Sequence, residues 1–467
     1  MFMAMAISDP ILTVARMRAA EQQAMDAGCD VHELMRRAGQ GAAQWVWRMA
    51  AGRPVTVLCG PGNNGGDGYV LAQWLHAKGL PVQIIAPLEP RTEAARRAAA
   101  RFAGLVRQDD DGVSGAVLVE CLFGTGQNRP LDHATQALFD RCLACHQRLV
   151  AMDLPVNVDA DSGALLGPVA DQAMTLALGA WKPAHWLMPG AKQMGMRHLV
   201  DIGLAPITGG LRLDRPGRLP APAPDAHKYT RGLLGVVGGV MPGAALLAAK
   251  AAMHGGAGYV KLLPQSVPAS VPDALVVDAG PLAQALADPR YAALLVGPGL
   301  GRDETARDRL QTVLATGKPC VMDADALHLL EPGMVAARHD LVVTPHEGEL
   351  ARLCAAFDIA DGNKLARVQA LSHQSGLTVL AKGADSILAK PDGDCAILPP
   401  ASPWLSTAGT GDVLAGLLAS RLATGVDPLR AAAQAFHLHA GAARIAGPAF
   451  DAGGLVKAVP AAYAALL

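Results

Sequence analysis

Residues 55–78 read VTVLCGPGNNGGDGYVLAQWLHAK, an apolar run followed by a glycine-rich loop and a helical pattern. The run 55–59 predicts a buried β-strand, and residues 69–78 predict a helix. Five of the ten residues 59–68 are glycines, which let backbone N–H groups converge at the start of that helix. Such a helix start binds phosphate or another anion. This stretch therefore predicts an α/β sheet with a loop that binds phosphate or another anion, and the alternative is a tight structural turn.

The same alternation of strands and helices continues on both sides of the loop. A helical pattern over residues 13–39 precedes it, and a second one covers residues 244–255. The other predicted strands span residues 82–86, 116–122, 149–153, 232–237, 293–296, 320–323, 341–344 and 377–381. Strands that alternate with helices in this way form parallel sheets with helices on both faces.

A proline-rich segment divides the two α/β halves. Residues 215–224 read RPGRLPAPAP, which cannot form a helix and is a poor strand. We predict an N-terminal domain over residues 1–212, a semi-rigid linker over 213–225 and a C-terminal domain over 226–467. This division agrees with the chain length, because 467 residues are too many for one ordinary core.

The charge balance excludes several classes of partner. The 40 Lys and Arg residues are offset by 41 Asp and Glu residues, so nothing marks the chain as a binder of nucleic acid or of an anionic membrane. The uncharged run 232–249 is long enough to span a bilayer, but its central glycines and Pro242 favour a strand, a loop and a helix start. Asp9, Arg16 and Arg18 interrupt any signal-peptide pattern. We therefore expect a cytoplasmic protein with reduced cysteines that acts on small molecules.

Several strings extend the pattern of the first glycine loop. The loop alone satisfies G-x-G-x-x-G through Gly60, Gly62 and Gly65, a weak dinucleotide signature. The strings MRA at 17–19, FGTG at 123–126, DLP at 153–155 and DIG at 201–203 accompany it. Together they make residues 10–205 resemble the YjeF-type N-terminal domain, the NAD(P)HX epimerase family. The resemblance implies a Rossmann-like doubly wound sheet with a pocket for a hydrated dinucleotide.

The resemblance also implies roles for individual residues. It places the dinucleotide pocket at Asn63, Asn64, Gly65, Gly66, Asp67, Gly124, Thr125 and Gly126. Asp153 would act as a general base, because epimerisation must break and re-form a bond at the hydrated carbon. A potassium ion would bind at Asn64, Glu120 and Val156. The family usually has Asp at position 120 and Ser at position 156. We therefore expect an altered potassium site, with epimerisation that is slow or absent and insensitive to the exchange of potassium for sodium.

A second glycine motif lies near the C-terminus. Residues 406–412 read STAGTGD and precede a helical pattern, so the helix start can stabilise a phosphoryl group while Asp412 accepts a hydroxyl proton. Other strings follow predicted strands, where ligands gather in open α/β sheets: GG at 238–239, GPGLG at 297–301, DADAL at 323–327, TPHEGE at 344–349 and KGA at 382–384. Residues 227–443 thereby resemble the YjeF C-terminal domain, the ADP- or ATP-dependent NAD(P)HX dehydratases. This family implies a ribokinase-like α/β/α sandwich.

The second resemblance implies a dehydration mechanism and its residues. The adenine nucleotide, with ADP as co-substrate, would be held by Lys382, Gly383, Ala384, Asp385, Ser386 and Gly411. The hydrated dinucleotide would contact Ala245, Gly299 and His346. Asp412 would deprotonate the hydroxyl of the hydrate, which takes a phosphoryl group and leaves as phosphate. Mg²⁺ would bridge the nucleotide phosphates.

The sequence thus predicts a bifunctional repair enzyme that epimerises R- and S-NAD(P)HX and dehydrates the S form to NAD(P)H. The alternative is a ribokinase-like small-molecule kinase fused to a non-catalytic dinucleotide-binding domain, because one fold hosts many activities. A kinase would accumulate phosphorylated product, whereas the repair enzyme would release NAD(P)H and phosphate. The choices between ADP and ATP and between NADHX and NADPHX stay open. We also expect a homo-oligomer.

Overall fold

The computed structural model describes residues 9–335 and 338–467, which form two compact units, Asp9–Gly209 and Gly210–Leu467. The N-terminal unit is built on a seven-stranded sheet whose neighbouring strands are all parallel. Its strands are β1 (Val55–Cys59), β2 (Val82–Ile85), β3 (Leu105–Arg107), β4 (Gly115–Cys121), β5 (His146–Met152), β6 (Met174–Leu178) and β7 (Met196–Val200). Their order, β3-β2-β1-β4-β5-β6-β7, reverses direction at β1, as in a doubly wound fold.

Five helices belong to this unit. They are α1 (Val14–Asp26), α2 (Val31–Ala50), α3 (Asn63–Ala77), α4 (Glu93–Arg101) and α5 (His133–Ala144). The helical pattern predicted over residues 13–39 is two helices. Gly28 has a φ of +97°, and Asp30 then caps α2 by accepting the Glu33 N–H at 2.7 Å. The chain therefore turns between α1 and α2.

Helix α3 begins inside the predicted glycine loop, at Asn63 instead of residue 69. Its early glycines allow close packing, because a Cβ on Gly65 would lie 1.9 Å from the Gly60 carbonyl oxygen. A Cβ on Gly68 would lie 2.9 Å from the Cys121 sulfur. Close contact with β1 and β4 therefore outweighs the low helix propensity of glycine here.

The C-terminal unit is built on a second, larger sheet. Its strands are β8 (Leu211–Leu213), β9 (Leu233–Val237), β10 (Tyr259–Leu263), β11 (Val276–Val277), β12 (Tyr291–Val296), β13 (Cys320–Met322), β14 (Leu341–Val343), β15 (Thr378–Ala381), β16 (Ile387–Ala389) and β17 (Cys395–Ile397). They follow the order β8-β17-β16-β15-β14-β13-β12-β9-β10-β11. Strand β16 is antiparallel to both neighbours, and the other pairs are parallel.

Helices cover this second sheet. They are α6 (Pro242–His254), α7 (Leu282–Leu286), α8 (Glu304–Ala315), α9 (Asp325–Leu329), α10 (Glu347–Ala356), α11 (Lys364–Ser375), α12 (Thr410–Ala423), α13 (Pro428–Ala446) and α14 (Ala452–Ala464). Small residues bring α6 and α12 into contact, since a Cβ on Gly416 would lie 2.1 Å from the Ala248 carbonyl oxygen. Among the described residues, no helix combines the length and the apolar character needed to cross a bilayer.

The start of the C-terminal unit differs from the linker predicted over residues 213–225. Strand β8 pairs with β17 and so belongs to the second sheet, which moves the boundary to Gly209 and Gly210. Within the proline-rich segment, Leu219 is 3% exposed, and its N–H donates to the Leu466 carbonyl at 2.7 Å. The segment lacks regular structure because of its prolines, but Leu219 anchors it to the C-terminal unit.

Candidate active sites

The N-terminal unit has a cavity of about 370 Å³ at the carboxyl ends of its central strands. Four loops meet there because β1, β4, β5 and β6 are parallel neighbours, so their carboxyl ends share one edge of the sheet. The predicted residues that line the cavity are Asn63, Asn64, Asp67, Gly124, Thr125, Gly126 and Asp153. Gly65 and Gly66 are buried in the packing of α3 and do not line it.

A buried ion pair fixes Asp153 in the wall of this cavity. Lys182 Nζ lies 2.6 Å from Asp153 Oδ1, and the two side chains are 1% and 9% exposed. The same Oδ1 accepts the Leu178 N–H at 3.2 Å. The other oxygen, Oδ2, lies 3.4 Å from where a Gly124 Cβ would be, so a glycine there keeps space beside the carboxylate. No spacing rule in the sequence reveals this contact, because Asp153 and Lys182 are 29 residues apart.

His185 holds the backbone of this pair in place. Its Nδ1 accepts the Lys182 N–H at 2.9 Å, so its Nε2 is the donor to the Asp153 carbonyl at 2.7 Å. Burial, with the charge of Lys182, lowers the pKa of His185 to about 4, so the ring is neutral near pH 7. Asp153 has a φ of +67°, an uncommon conformation for a non-glycine residue, which the bond from His185 helps to hold.

Three carboxyl groups share the cavity with the one lysine. Burial raises the pKa of Asp67 well above its usual range, and the nearby Asp153 and Glu21 raise it further. The pKa of Glu21 is also raised, first by burial, while Lys182 acts in the opposite direction. Asp67 therefore holds a proton more readily than an ordinary aspartate, and it lies near an Asp153 that is ion-paired with Lys182.

Two buried oxygens beneath the cavity bear on the potassium prediction. Neither Asn64 Oδ1 nor Glu120 Oε1 has a hydrogen-bond partner in the part of the chain that the structure describes. Unpartnered buried oxygens of this kind suit a cation. The Val156 side chain instead packs in a cluster with Leu118 and Phe139, while its N–H donates to Glu120 Oε2 at 3.3 Å. Asn64 and Glu120 thus fit an ion, whereas the Val156 side chain offers no ligand.

The second candidate site lies at the carboxyl ends of the central strands of the C-terminal sheet. Asp323 follows β13, Lys382 follows β15, and Lys382 Nζ lies 2.6 Å from Asp323 Oδ1. A Cβ on Gly411 would lie 3.6 Å from Lys382 Nζ and 4.0 Å from Asp323 Oδ2. Asp412, in the first turn of α12, follows directly. The structure therefore brings the predicted Gly411, Lys382 and Asp412 together, and it adds Asp323.

The surroundings of Asp412 raise its pKa into the neutral range. Burial is the largest cause that raises its pKa to about 7, and the charge of Asp323 adds to it while Lys382 opposes it. A general base is most effective when its pKa lies near the operating pH. His439 Nε2 bonds the Thr410 carbonyl at 2.9 Å and fixes the start of this helix.

Two glycine loops meet at the same edge of the sheet. Gly299 has a φ of +64°, and a Cβ there would lie 2.2 Å from the Met241 carbonyl oxygen. A Cβ on Gly239 would lie 2.1 Å from the Leu300 carbonyl oxygen, so neither position tolerates a side chain. Ala245 is only 1% exposed and packs beneath Gly238, which separates its methyl group from any ligand above the loops.

His346 presents one ring nitrogen to the cleft. Its Nδ1 accepts the N–H groups of Gly348 and Glu349 at the start of α10, and 63% of its side chain is exposed. Because Nδ1 is an acceptor, a hydrogen is on Nε2, which lies 3.5 Å from Glu349 Oε1. Glu349 closes the capping box by accepting the His346 N–H at 2.8 Å, and burial raises the pKa of Glu349.

The predicted nucleotide residues 382–386 form the turn between β15 and β16. Ser386 Oγ donates to the Gly383 carbonyl at 2.9 Å, and the Lys382 N–H donates to the Pro345 carbonyl at 2.8 Å. Lys364 supports the turn from below, because its Nζ donates to Asp385 Oδ1 and to the Asp385 carbonyl, both at 2.8 Å. Lys364 has no local motif and was not among the predicted site residues.

These features define a two-domain α/β enzyme, in which a Rossmann-like domain precedes a ribokinase-like domain with a buried carboxyl group at a glycine-rich helix start. Residues 31–184 match the family described as YjeF-related protein N-terminus, and residues 234–455 match the family described as NAD(P)H-hydrate dehydratase. The chain is 35% identical over 442 residues to a bifunctional NAD(P)H-hydrate repair enzyme of Mycobacterium tuberculosis, covering 90% of each protein. The chain belongs to this family of bifunctional NAD(P)H-hydrate repair enzymes, which confirms the resemblance of both halves.

Other relatives resemble the whole chain or its second half. The bifunctional NAD(P)H-hydrate repair enzyme of Escherichia coli is 31% identical, over 94% of this chain and 90% of that protein. A solved ADP/ATP-dependent NAD(P)H-hydrate dehydratase of Bacillus subtilis, co-crystallised with ATP and Mg²⁺, is 26% identical with a TM-score of 0.46. That likeness covers 54% of this chain and 95% of the solved one.

Proposed function

We propose that this chain repairs hydrated nicotinamide dinucleotides: it epimerises R- and S-NAD(P)HX and dehydrates the S form to NAD(P)H with ADP as phosphoryl donor. The observation that carries the proposal is Asp412, a carboxyl group with a pKa near 7 beside Gly411 and the Lys382–Asp323 pair. Membership of the repair-enzyme family along nearly the whole chain supports it.

Dehydration begins with removal of a proton from the hydroxyl of the hydrate by Asp412. The resulting oxygen attacks the terminal phosphorus of ADP, and the bond between that phosphorus and the bridging oxygen breaks to release AMP. Backbone N–H groups at Gly411 and the ammonium of Lys382 stabilise the charge on the transferred group. The phosphate ester then leaves its carbon as the ring nitrogen supplies an electron pair, giving free phosphate and NAD(P)H after loss of a proton.

The residues that hold the nucleotide are 382–386 and Gly411, and Gly299 and His346 contact the hydrated dinucleotide. Gly299 has no side chain to block a ligand, and the His346 side chain is largely exposed, which suits both positions to an approaching ligand. Mg²⁺ would neutralise the phosphate oxygens of the nucleotide, and a carboxylate of the cleft such as that of Glu349 is the kind of oxygen ligand it prefers.

Epimerisation uses the N-terminal cavity. Its two carboxyl groups have different surroundings: burial raises the pKa of Asp67 well above its usual range, whereas Asp153 is paired with Lys182. Asp67 protonates the departing hydroxyl group, and Asp153 accepts a proton from the water that adds to the opposite face. Two carboxyl groups in different surroundings can serve as acid and base in this way. Asn64 and Glu120 would hold a potassium ion through their unpartnered oxygens, without help from the Val156 side chain.

The proposal is tested against the kinase alternative by supplying separated S and R hydrates with ADP or ATP. We expect NADH, measured by its absorbance, to appear in step with free phosphate from the S hydrate. A phosphorylated dinucleotide that accumulates without NADH would show that the C-terminal unit is a kinase. An R hydrate that disappears no faster than in buffer would show that the N-terminal unit only binds.

A further inference from the structure

A second cavity of the C-terminal unit, about 240 Å³ in volume, lies at the far end of the helix that carries Asp412. Arg421 lines it and follows Asp412 by nine residues on α12. At 1.5 Å per residue, this places the two residues about 13 Å apart along the helix axis. The cavity is therefore separate from the candidate dehydration site, and the proposed mechanism does not use it.

Arg421 is a buried charge without a carboxylate partner. The residue is 2% exposed, and within residues 9–335 and 338–467 no acidic group lies within 4.0 Å of its nitrogens. Its Nε donates to Gln434 Oε1 at 2.9 Å, and its Nη1 donates to the Gly255 carbonyl at 3.3 Å and to the Tyr463 hydroxyl at 3.0 Å. These neutral acceptors offset only part of the cost of burying a guanidinium.

Further donors of Arg421 and its neighbours remain available in this cavity. Arg421 Nη2 has no hydrogen-bond partner among the described residues, although the guanidinium carries five N–H groups. The Tyr463 hydroxyl accepts from Arg421, so its own hydrogen is free to donate. Arg231 reaches the same place, since its Nη2 donates to the carbonyl of Gly256, the residue after Gly255, at 3.1 Å. Two guanidinium groups and a hydroxyl therefore converge on one small cavity.

One acidic residue, Asp225, also lines this cavity. Two guanidinium groups against one carboxylate leave a net positive site, which suits a small anion and disfavours a polyanion. Asp225 can approach a bound anion only if that anion offers it a hydrogen. Inorganic phosphate keeps at least one O–H at neutral pH, sulfate keeps none, and a phosphate monoester is mostly the dianion.

We propose that this cavity is a binding site for inorganic phosphate, held by Arg421, Arg231 and Tyr463 and selected over sulfate and phosphate monoesters by Asp225. The proposal is independent of the activity assigned to the catalytic cleft. It predicts one phosphate per chain at this site.

The test is equilibrium dialysis of the full chain with radiolabelled inorganic phosphate at physiological salt, with sulfate and AMP as competitors. Arg231 is exposed, so Arg231→Ala leaves the fold intact. We expect it to weaken binding by about tenfold or more, the effect of losing a charged hydrogen bond. Tyr463→Phe should weaken binding less. The matched control is Arg430→Ala, an exposed arginine of the same unit that lies outside the cavity, and it should change binding by less than about twofold.

Asp225→Asn gives a second, independent measurement of selectivity. Because its amide can donate to an oxygen that carries no hydrogen, sulfate should compete several-fold better in this variant than in the wild type. The proposal is overturned if the wild type binds no phosphate. It is equally overturned if Arg231→Ala and Arg430→Ala weaken binding to the same extent, or if sulfate competes as well as phosphate in both the wild type and Asp225→Asn.

Discussion

Replacing Asp412 by Asn removes the proposed base of the dehydration site at almost constant volume. The wild-type carboxyl has a pKa of about 7, so only about 1% of it is ionised at pH 5. The wild-type kcat/KM for the S hydrate should therefore fall about tenfold per pH unit below pH 7. Loss of a general base costs roughly 10²–10⁴-fold, so Asp412→Asn should reduce the rate at pH 8 by that factor and flatten its pH profile.

The same variant should be more stable than the wild type above pH 7. A carboxyl group whose pKa is raised in the folded state favours folding while it is protonated, and this contribution is lost as the pH rises from about 4 through 7. A difference of about three pKa units corresponds to at most about 4 kcal/mol at pH 8, and partial solvent access reduces it. Urea unfolding at pH 5 and at pH 8 measures it.

The assay is NADH formation from purified S hydrate with saturating ADP, between pH 5 and pH 9. AMP binding, measured by calorimetry, serves as the control that the nucleotide residues remain in place. A variant that keeps more than about a tenth of the wild-type rate, or a wild type whose rate does not fall below pH 7, would refute the assignment of Asp412 as the base.

Three further predictions follow from particular contacts. Lys182→Met should abolish epimerisation and lower the free energy of unfolding by about 3–5 kcal/mol, because it leaves Asp153 buried and unpaired. The exposed control Lys192→Met should change neither the rate nor the stability. Equal melting curves for the two variants would contradict the stabilising role of the ion pair. Epimerisation should be faster in potassium than in sodium, and Glu120→Gln should reduce this difference; a rate insensitive to the cation would support the expectation drawn from Val156. Fragments 1–209 and 210–467 should fold separately. A C-terminal fragment that begins at residue 225 should melt several degrees below fragment 210–467, because it lacks β8 and Leu219. Equal melting temperatures of the two C-terminal fragments would show that β8 and Leu219 contribute nothing to stability.

The strands and motifs that local sequence determines were predicted well. Apolar runs such as Val55–Cys59 and Leu341–Val343 stand out because strands of a doubly covered parallel sheet are apolar throughout. The glycine-rich start of α12 was also identified from the sequence, because a tight turn before a helix has a local signature. Membership of the family confirms the fold class and both resemblances.

Contacts between distant parts of the chain could not be predicted in the same way. Lys182 and Asp153 are separated by 29 residues, and Lys364 meets Asp385 across 21 residues, so no spacing rule connects them. The start of α3 was placed too late because its glycines look like a loop until their packing on β1 and β4 is known. Strand β8 has only three residues, and its pairing with β17 depends on a strand more than 180 residues away.

The most direct test of the central claim, that two sites in one chain act in succession, is the fate of pure R hydrate. The measurement is a time course of R hydrate, S hydrate and NADH with ADP for the wild type, Asp153→Asn and Asp412→Asn. We predict that the wild type forms NADH faster than spontaneous epimerisation allows and that Asp153→Asn forms it only at the spontaneous rate while still using the S hydrate. Asp412→Asn should convert R to S hydrate and stop there. NADH formation by Asp412→Asn, or equal rates for the wild type and Asp153→Asn on R hydrate, would contradict the account.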